Sequence, residues 1–155
     1  MNRSRRQTLQ AAGGAGVYGA LVAIGLLNPA SVSAQAFDAA FNAKTLADTL
    51  KALGATGATE SKDIVITAPD IAENGAVVPV SVKSNLAKTT QIALLVDKNP
   101  NLLAGSYDIL AGAEPDVSMR IKMGQSSDVM ALVKADGKYY MTKKEIKVTL
   151  GGCGG

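Results

Sequence analysis

Between Lys62 and Leu150 apolar residues recur at every second position in short runs, and each run stops at turn-forming residues. Only β-strands with one dry face satisfy that pattern. It is strictest where Val117, Met119, Ile121 and Met123 alternate with Ser118, Arg120 and Lys122. Ile64 to Thr67 stops at Pro69, and Val77 to Val82 follows Asn74-Gly75, a tight-turn signal. Pro79 has no N–H for a ladder, so its strand is expected at a sheet edge or at a bulge. In Gln91 to Asp97, Ile92, Leu94 and Val96 share one face while Leu95 is apolar on the other, and Asn99-Pro100-Asn101 breaks the chain. Val129 to Lys134 and Lys138 to Thr142 flank Asp136-Gly137, a strong hairpin signal. Lys143-Lys144 reads as a solvated turn, after which Glu145 to Leu150 points Ile146, Val148 and Leu150 inward.

Upstream the period changes. Leu46, Leu50 and Leu53 stand at i, i+4 and i+7, which predicts one helix over Phe37 to Leu53, with Phe41 extending the apolar stripe and Gly54 stopping it. One helix followed by about seven short strands implies a mainly β fold, an antiparallel β-sandwich around a single core. Met119, Met123, Met130 and Met141 sit in strand patterns and read as core filler, and Arg120 as a solvated strand residue.

Composition removes most chemistry. The chain has no histidine, no tryptophan and one cysteine. The usual ligand sets for zinc, copper or haem cannot be assembled, and Ser-His-Asp and Cys-His catalysis are excluded. No metal and no cofactor is expected, and nothing in the Asp and Glu spacing marks a catalytic pair. The chain reads as a carrier or binding protein and not as an enzyme.

Residues 1–36 look like an export segment. A basic start with Arg3, Arg5 and Arg6 precedes an apolar run from Ala11 to Leu27, and Ala34-Gln35-Ala36 offers a small-x-small cleavage site. Ser4-Arg5-Arg6-x-x-Leu9 resembles the twin-arginine signal, whose pathway carries folded proteins across the bacterial inner membrane, with Thr8 where Phe is usual. Gly13, Gly14, Gly16, Gly19, Gly25 and Pro29 make the run a poor permanent anchor. Cleavage after Ala36 puts the product in the periplasm. It also changes the charge. The whole chain has 16 basic and 13 acidic residues, and loss of Arg3, Arg5 and Arg6 brings the basic count to 13, equal to the acidic one. No electrostatic case for nucleic acid survives that balance. A neutral surface suits a chain with a stable partner.

The one thiol, Cys153, lies in Gly151-Gly152-Cys153-Gly154-Gly155. Glycines add no packing surface and leave the backbone free, so the pentapeptide reads as a thin, flexible arm holding an exposed thiol. Extended residues span at most ~3.3–3.6 Å each, so Leu150 to Cys153 covers on the order of 10 Å, enough to enter a narrow pocket. Three regions result: the export segment 1–36, a helix-plus-sandwich domain 37–150, and the arm 151–155.

The arm, the export segment and the sandwich together resemble the SoxY family of sulfur-carrying subunits. The likeness continues through Glu73 to Val80, Asn99-Pro100, Arg120-Ile121-Lys122-Met123 and Val148-Thr149. It implies an immunoglobulin-like sandwich paired as a heterodimer with a second small sandwich protein, SoxZ. It also implies that Cys153 is the site of covalent substrate attachment, with Gly151, Gly152, Gly154 and Gly155 giving access. A haem c-containing SoxXA-type complex would join thiosulfate to the thiol as a cysteine S-thiosulfonate. A metal-dependent SoxB-type hydrolase would then release sulfate, and a sulfane dehydrogenase would act where an organism has one.

Two other readings remain at this point. One is an exported structural or binding protein that dimerises through Cys153. The other is a ubiquitin-like sulfur carrier, which loads sulfur on its terminal glycine, is activated in the cytoplasm and so sits badly with an export segment. The export reading predicts a mature chain beginning at Phe37. N-terminal sequencing of periplasmic protein checks this, and exchange of Arg5 and Arg6 for lysine should abolish export by the twin-arginine route.

Overall fold

The computed structural model describes residues 37–149. The expectations placed on the export segment with Arg5 and Arg6, on Leu150, and on Gly151, Gly152, Cys153, Gly154 and Gly155 lie outside the described residues. Residues 37–42 are helical (α1), and a second helix follows at Leu46–Ala52 (α2). The strands are β1 (Thr59–Glu60), β2 (Ile64–Thr67), β3 (Ile71–Ala72), β4 (Val78–Ser84), β5 (Thr89–Val96), β6 (Leu103–Asp108), β7 (Asp116–Ile121), β8 (Ser127–Ala135) and β9 (Lys138–Val148).

Two sheets form the sandwich. The larger runs β1-β9-β8-β5-β6, with β3 also on β9, and the smaller runs β2-β4-β7. The pairings of β5, β6, β8 and β9 with one another, and those within the small sheet, are antiparallel. The short β1 and β3 join β9 in parallel, which the all-antiparallel expectation did not include. Ile92, Leu94, Val96, Val129, Ala131, Val133 and Ile146 meet Val78, Val80, Val82, Ile121 and Met123 of the facing side. Ala93, Leu95, Met130 and Leu132 point the other way and are covered by Ala40, Leu46, Leu50 and Leu53. The second apolar side of β5, visible in the sequence at Leu95, is therefore the seat of the helices.

The single helix expected over Phe37 to Leu53 is broken at residues 43–45. Thr45 is extended there, and its hydroxyl oxygen accepts the Asp48 N–H at 3.1 Å, an N-cap that starts α2 afresh. The break also ends the leucine stripe. Phe41 is 37 % exposed, and Phe37 and Ala40 pack on the sheet instead. At the far end the forecast stop holds. Gly54 takes φ +71°, its N–H bonds to Lys51 O at 3.0 Å, and Ala55 N–H bonds to Leu50 O at 2.7 Å. That is a Schellman C-cap, and the left-handed position is why a glycine stands there.

Several strand expectations need correction. The strand containing Pro79 is the centre of the small sheet, not an edge, but β2 pairs with it only from Ser81 to Ser84. Pro79 itself faces only Arg120 of β7, so no ladder partner on the β2 side meets its missing N–H. The tight turn expected at Asn74-Gly75 is present, with Val77 N–H bonded to Asn74 O at 3.3 Å, and it carries the chain from β3 in the large sheet to β4 in the small one. Lys143-Lys144 is not a turn either, because β9 runs unbroken from Lys138 to Val148 with Lys143 opposite Met130 and Lys144 opposite Val129. Strand β6, Leu-Ala-Gly-Ser-Tyr-Asp, has almost no apolar alternation and was missed. The Asp136-Gly137 hairpin is as expected, with positive φ at both residues.

Leu94 is fully buried between the sheets. Leu94→Ala should lower the unfolding free energy by about 2–5 kcal/mol, whereas Val65→Thr on the exposed face should change it by less than about 0.5 kcal/mol. Denaturant titration with a constant m-value is the check.

Candidate functional site at the end of strand β9

Strand β9 delivers the chain to the segment that holds Cys153, and its last residues are held from three directions. On one side β3 pairs in parallel, Ile71 with Lys147 and Ala72 with Val148. Lys147 N–H donates to Asp70 O at 2.9 Å and Thr149 N–H to Ala72 O at 3.1 Å. On the other side the β8 ladder begins only at Ser127, opposite Ile146. Beyond it the Ser126 hydroxyl takes over. Its oxygen accepts the Val148 N–H at 2.9 Å and lies 3.5 Å from Val148 O, so one side chain extends the sheet where backbone has run out.

The third contact comes from the crossover between the sheets. Asn74 shapes it with its side-chain oxygen, which accepts Ala76 N–H at 2.9 Å. Gly75 O accepts Met123 N–H at 2.7 Å. A Cβ on Gly75 would overlap the Met123 carbonyl and stand 2.9 Å from Val148 Cγ1. Close approach, and not a positive φ, is what requires glycine here. Asn99 then ties in the 97–102 loop, with Nδ2 donating to Lys122 O at 2.7 Å and Oδ1 accepting Gly124 N–H at 3.4 Å. Residues 73–80, 99–100, 120–123 and 148–149, read separately in the sequence, thus meet at one end of the sandwich.

Two ion pairs flank this end. Lys144 Nζ lies 3.0 Å from Asp70 Oδ1 and donates to Ala68 O at 2.6 Å, which braces the approach to β3. Lys143 Nζ lies 3.0 Å from Asp128 Oδ2, and the hydrogen bond and charge of Asp128 raise the Lys143 pKa above the usual lysine value. A raised folded-state pKa contributes stability below the unfolded lysine pKa, and that contribution disappears as pH climbs through the folded one. Both lysines therefore have structural partners in the strand and do not form the solvated turn forecast for them.

Cys153 and the four glycines are not among the described residues, so the structure describes the root of their segment only. Arg120 is exposed on the outer face of the small sheet, opposite Pro79. Met123 and Met130 are buried, and Met119 and Met141 pack partly buried against the two core clusters. Among the described residues no group of three His, Cys, Asp or Glu side chains is placed to hold a metal ion. None of their helices is long and apolar enough to cross a membrane. Sequence reasoning missed Ser126 and β3 as anchors. The two-residue β3 carries no period, and a serine continuing a ladder looks like any loop serine.

Known proteins match the chain at the level of family and of fold. The family model for the sulfur oxidation protein SoxY matches residues 50–153. The structure of the sulfur carrier protein SoxY from Chlorobium limicola f thiosulfatophilum is 37 % identical with a TM-score of 0.61, covering 70 % of this chain and 96 % of that one. A superoxide reductase (neelaredoxin) from Ignicoccus hospitalis is 21 % identical with a TM-score of 0.51, covering 56 % of this chain and 80 % of that one. At that identity it shares the fold alone. Comparison with curated proteins finds no match.

Gly75→Ala should cost about 1–3 kcal/mol, because the backbone carbonyl of Met123 cannot rotate away as a side chain would. It should also speed amide exchange at Val148 and Thr149 more than in β5, read by hydrogen exchange.

Proposed function

The chain belongs to the SoxY family of sulfur oxidation proteins, and we propose that Cys153 carries its sulfur covalently while separate enzymes act on it. The carrier role follows from the family. The use of this cysteine is supported by the reach of the family match, which extends through residue 153, and by the anchored strand end only four residues before it. The immunoglobulin-like sandwich serves as the handle, and Gly151, Gly152, Gly154 and Gly155 make the attached group thin enough to enter a recessed site.

The chemistry proposed for the thiol has two balanced steps. The Cys153 thiol and thiosulfate give the S-thiosulfonate, one proton and two electrons, and the electrons leave to the haem of a SoxXA-type complex. Water then cleaves the bond between the outer sulfur and the sulfone in a SoxB-type hydrolase. Sulfate and a proton depart, and Cys153 keeps a persulfide. Where a sulfane dehydrogenase exists it oxidises that sulfur, and a second hydrolysis restores the thiol. The thiolate is the reactive form of a cysteine, so each enzyme is proposed to activate Cys153 within its own site. Tethering makes each later step local instead of a fresh encounter.

The working form proposed is a periplasmic one-to-one heterodimer with a SoxZ-type subunit, exported by residues 1–36 and then freed of them, with 37–150 as the folded domain and 151–155 as the arm. Cys153→Ser should fold with an unchanged thermal midpoint and take up no sulfur when incubated with thiosulfate and the cognate enzymes. Intact-mass measurement reads this directly, and sulfur uptake by the serine protein would sink the reading.

A further inference from the structure

We propose that the surface around the root of the arm, built on Ile71 and Val77, is where each sulfur-processing enzyme seats the rim of its pocket. This rests on the carrier reading above. Length sets the first constraint. Thr149 is fixed to Ala72 at 3.1 Å, and the four residues from there to Cys153 span at most about 13–14 Å when extended. An enzyme that takes the thiol into a recessed site must therefore bring its pocket mouth against the strand end. The surface at that end is in contact in every loaded encounter.

Two large apolar side chains stand in that surface. Ile71 is 56 % exposed and Val77 51 % exposed, although both are β-branched residues of the kind that strands usually bury. Ile71 pairs with Lys147, one position before the strand residue that Gly75 abuts. Val77 closes the Asn74 turn, with its N–H bonded to Asn74 O at 3.3 Å. Both are therefore held by the contacts that fix the root, and rigid apolar anchors bind with little loss of freedom. Exposed Glu73, Lys122 and Lys147 supply a polar surround of mixed sign. A small apolar centre inside such a rim suits a partner that must leave after each step.

The test uses the mature complex with its SoxZ-type subunit and the double substitution Ile71→Asp with Val77→Asp. The KM of the thiosulfate-loading enzyme for the carrier should rise by about tenfold or more, with kcat within about twofold of the unsubstituted complex. Reaction of Cys153 with a small maleimide should be unchanged, since that reagent needs no docking. An unchanged KM overturns the proposal. Release of the SoxZ-type subunit overturns it as well, because the surface would then be the subunit interface. If the double variant does not fold, Val77→Asp alone must raise KM by about threefold or more, and failure to do so is equally fatal. The carrier reading fails separately, if Cys153→Ser protein is loaded or the unsubstituted complex is not.

Discussion

Strands β5 and β8 bury both of their faces, and the placement of everything else follows from that. Ile92, Leu94 and Val96 of β5 lie on the opposite face from Ala93 and Leu95, yet all five are buried. A strand of this kind cannot face water on either side, so the large sheet needs two covers. The small sheet is one and α1 with α2 is the other. A Schellman cap at Gly54 and the bond from Tyr139 Oη to Leu53 O, 2.8 Å, set where the helical cover ends. The third tie runs from Lys44 to Pro100 O and Asn101, so the helices are held to loops as well as to the sheet.

Two covers also create two ends, and the ends are not equivalent. At one, β8 turns into β9 through Asp136-Gly137, a local hairpin that asks little of its surroundings. At the other, the chain crosses from β3 to β4 between sheets, β7 finishes, β8 begins and β9 stops. Crossing leaves backbone groups without ladder partners, and buried groups of that sort must be paired. Gly75 O with Met123 N–H, Ser126 Oγ with Val148 N–H, and Asn99 with Lys122 O and Gly124 N–H are the pairings found. The structural problem of closing the sandwich is thus solved at the place where β9 ends.

Most of the sandwich was legible because its strands obey one rule. The alternation at Val117, Met119, Ile121 and Met123 put all four on the inner face, as the structure has them. What escaped was decided by neighbours and not by local pattern. Strand β6 is a strand because β5 offers it an edge, not because Leu103–Asp108 alternates. Lys143 and Lys144 looked like a turn until Asp128 and Asp70, distant in sequence, gave each a partner within the strand. The break before α2 has a local signal in Thr45-x-x-Asp48, which has the form of an N-terminal cap, but the apolar stripe from Phe41 to Leu53 runs across it. Cys153, proposed above as the attachment residue, stands out in the sequence for the opposite reason: the glycines on either side of it offer nothing to pack. Its root was not legible, because Gly75, Ser126 and Ala72 act through backbone and hydroxyl groups that leave no mark in composition.

For a carrier that holds its sulfur on Cys153, as proposed above, anchoring the root matters as much as freeing the arm. Effective concentration falls with tether length roughly as the −3/2 power once the span is exceeded, and a tether shorter than the pocket is deep delivers nothing. Each residue of β9 released from the sheet would add about 3.3–3.6 Å of reach and dilute the attached group over a larger volume. Val148 is the position where that length is decided. It receives the Ser126 hydroxyl on one side, pairs with Ala72 on the other, and rests against Gly75. None of these contacts requires a charged or bulky side chain. A sandwich closed by backbone bonds at this end therefore fixes both where β9 ends and what surrounds that end.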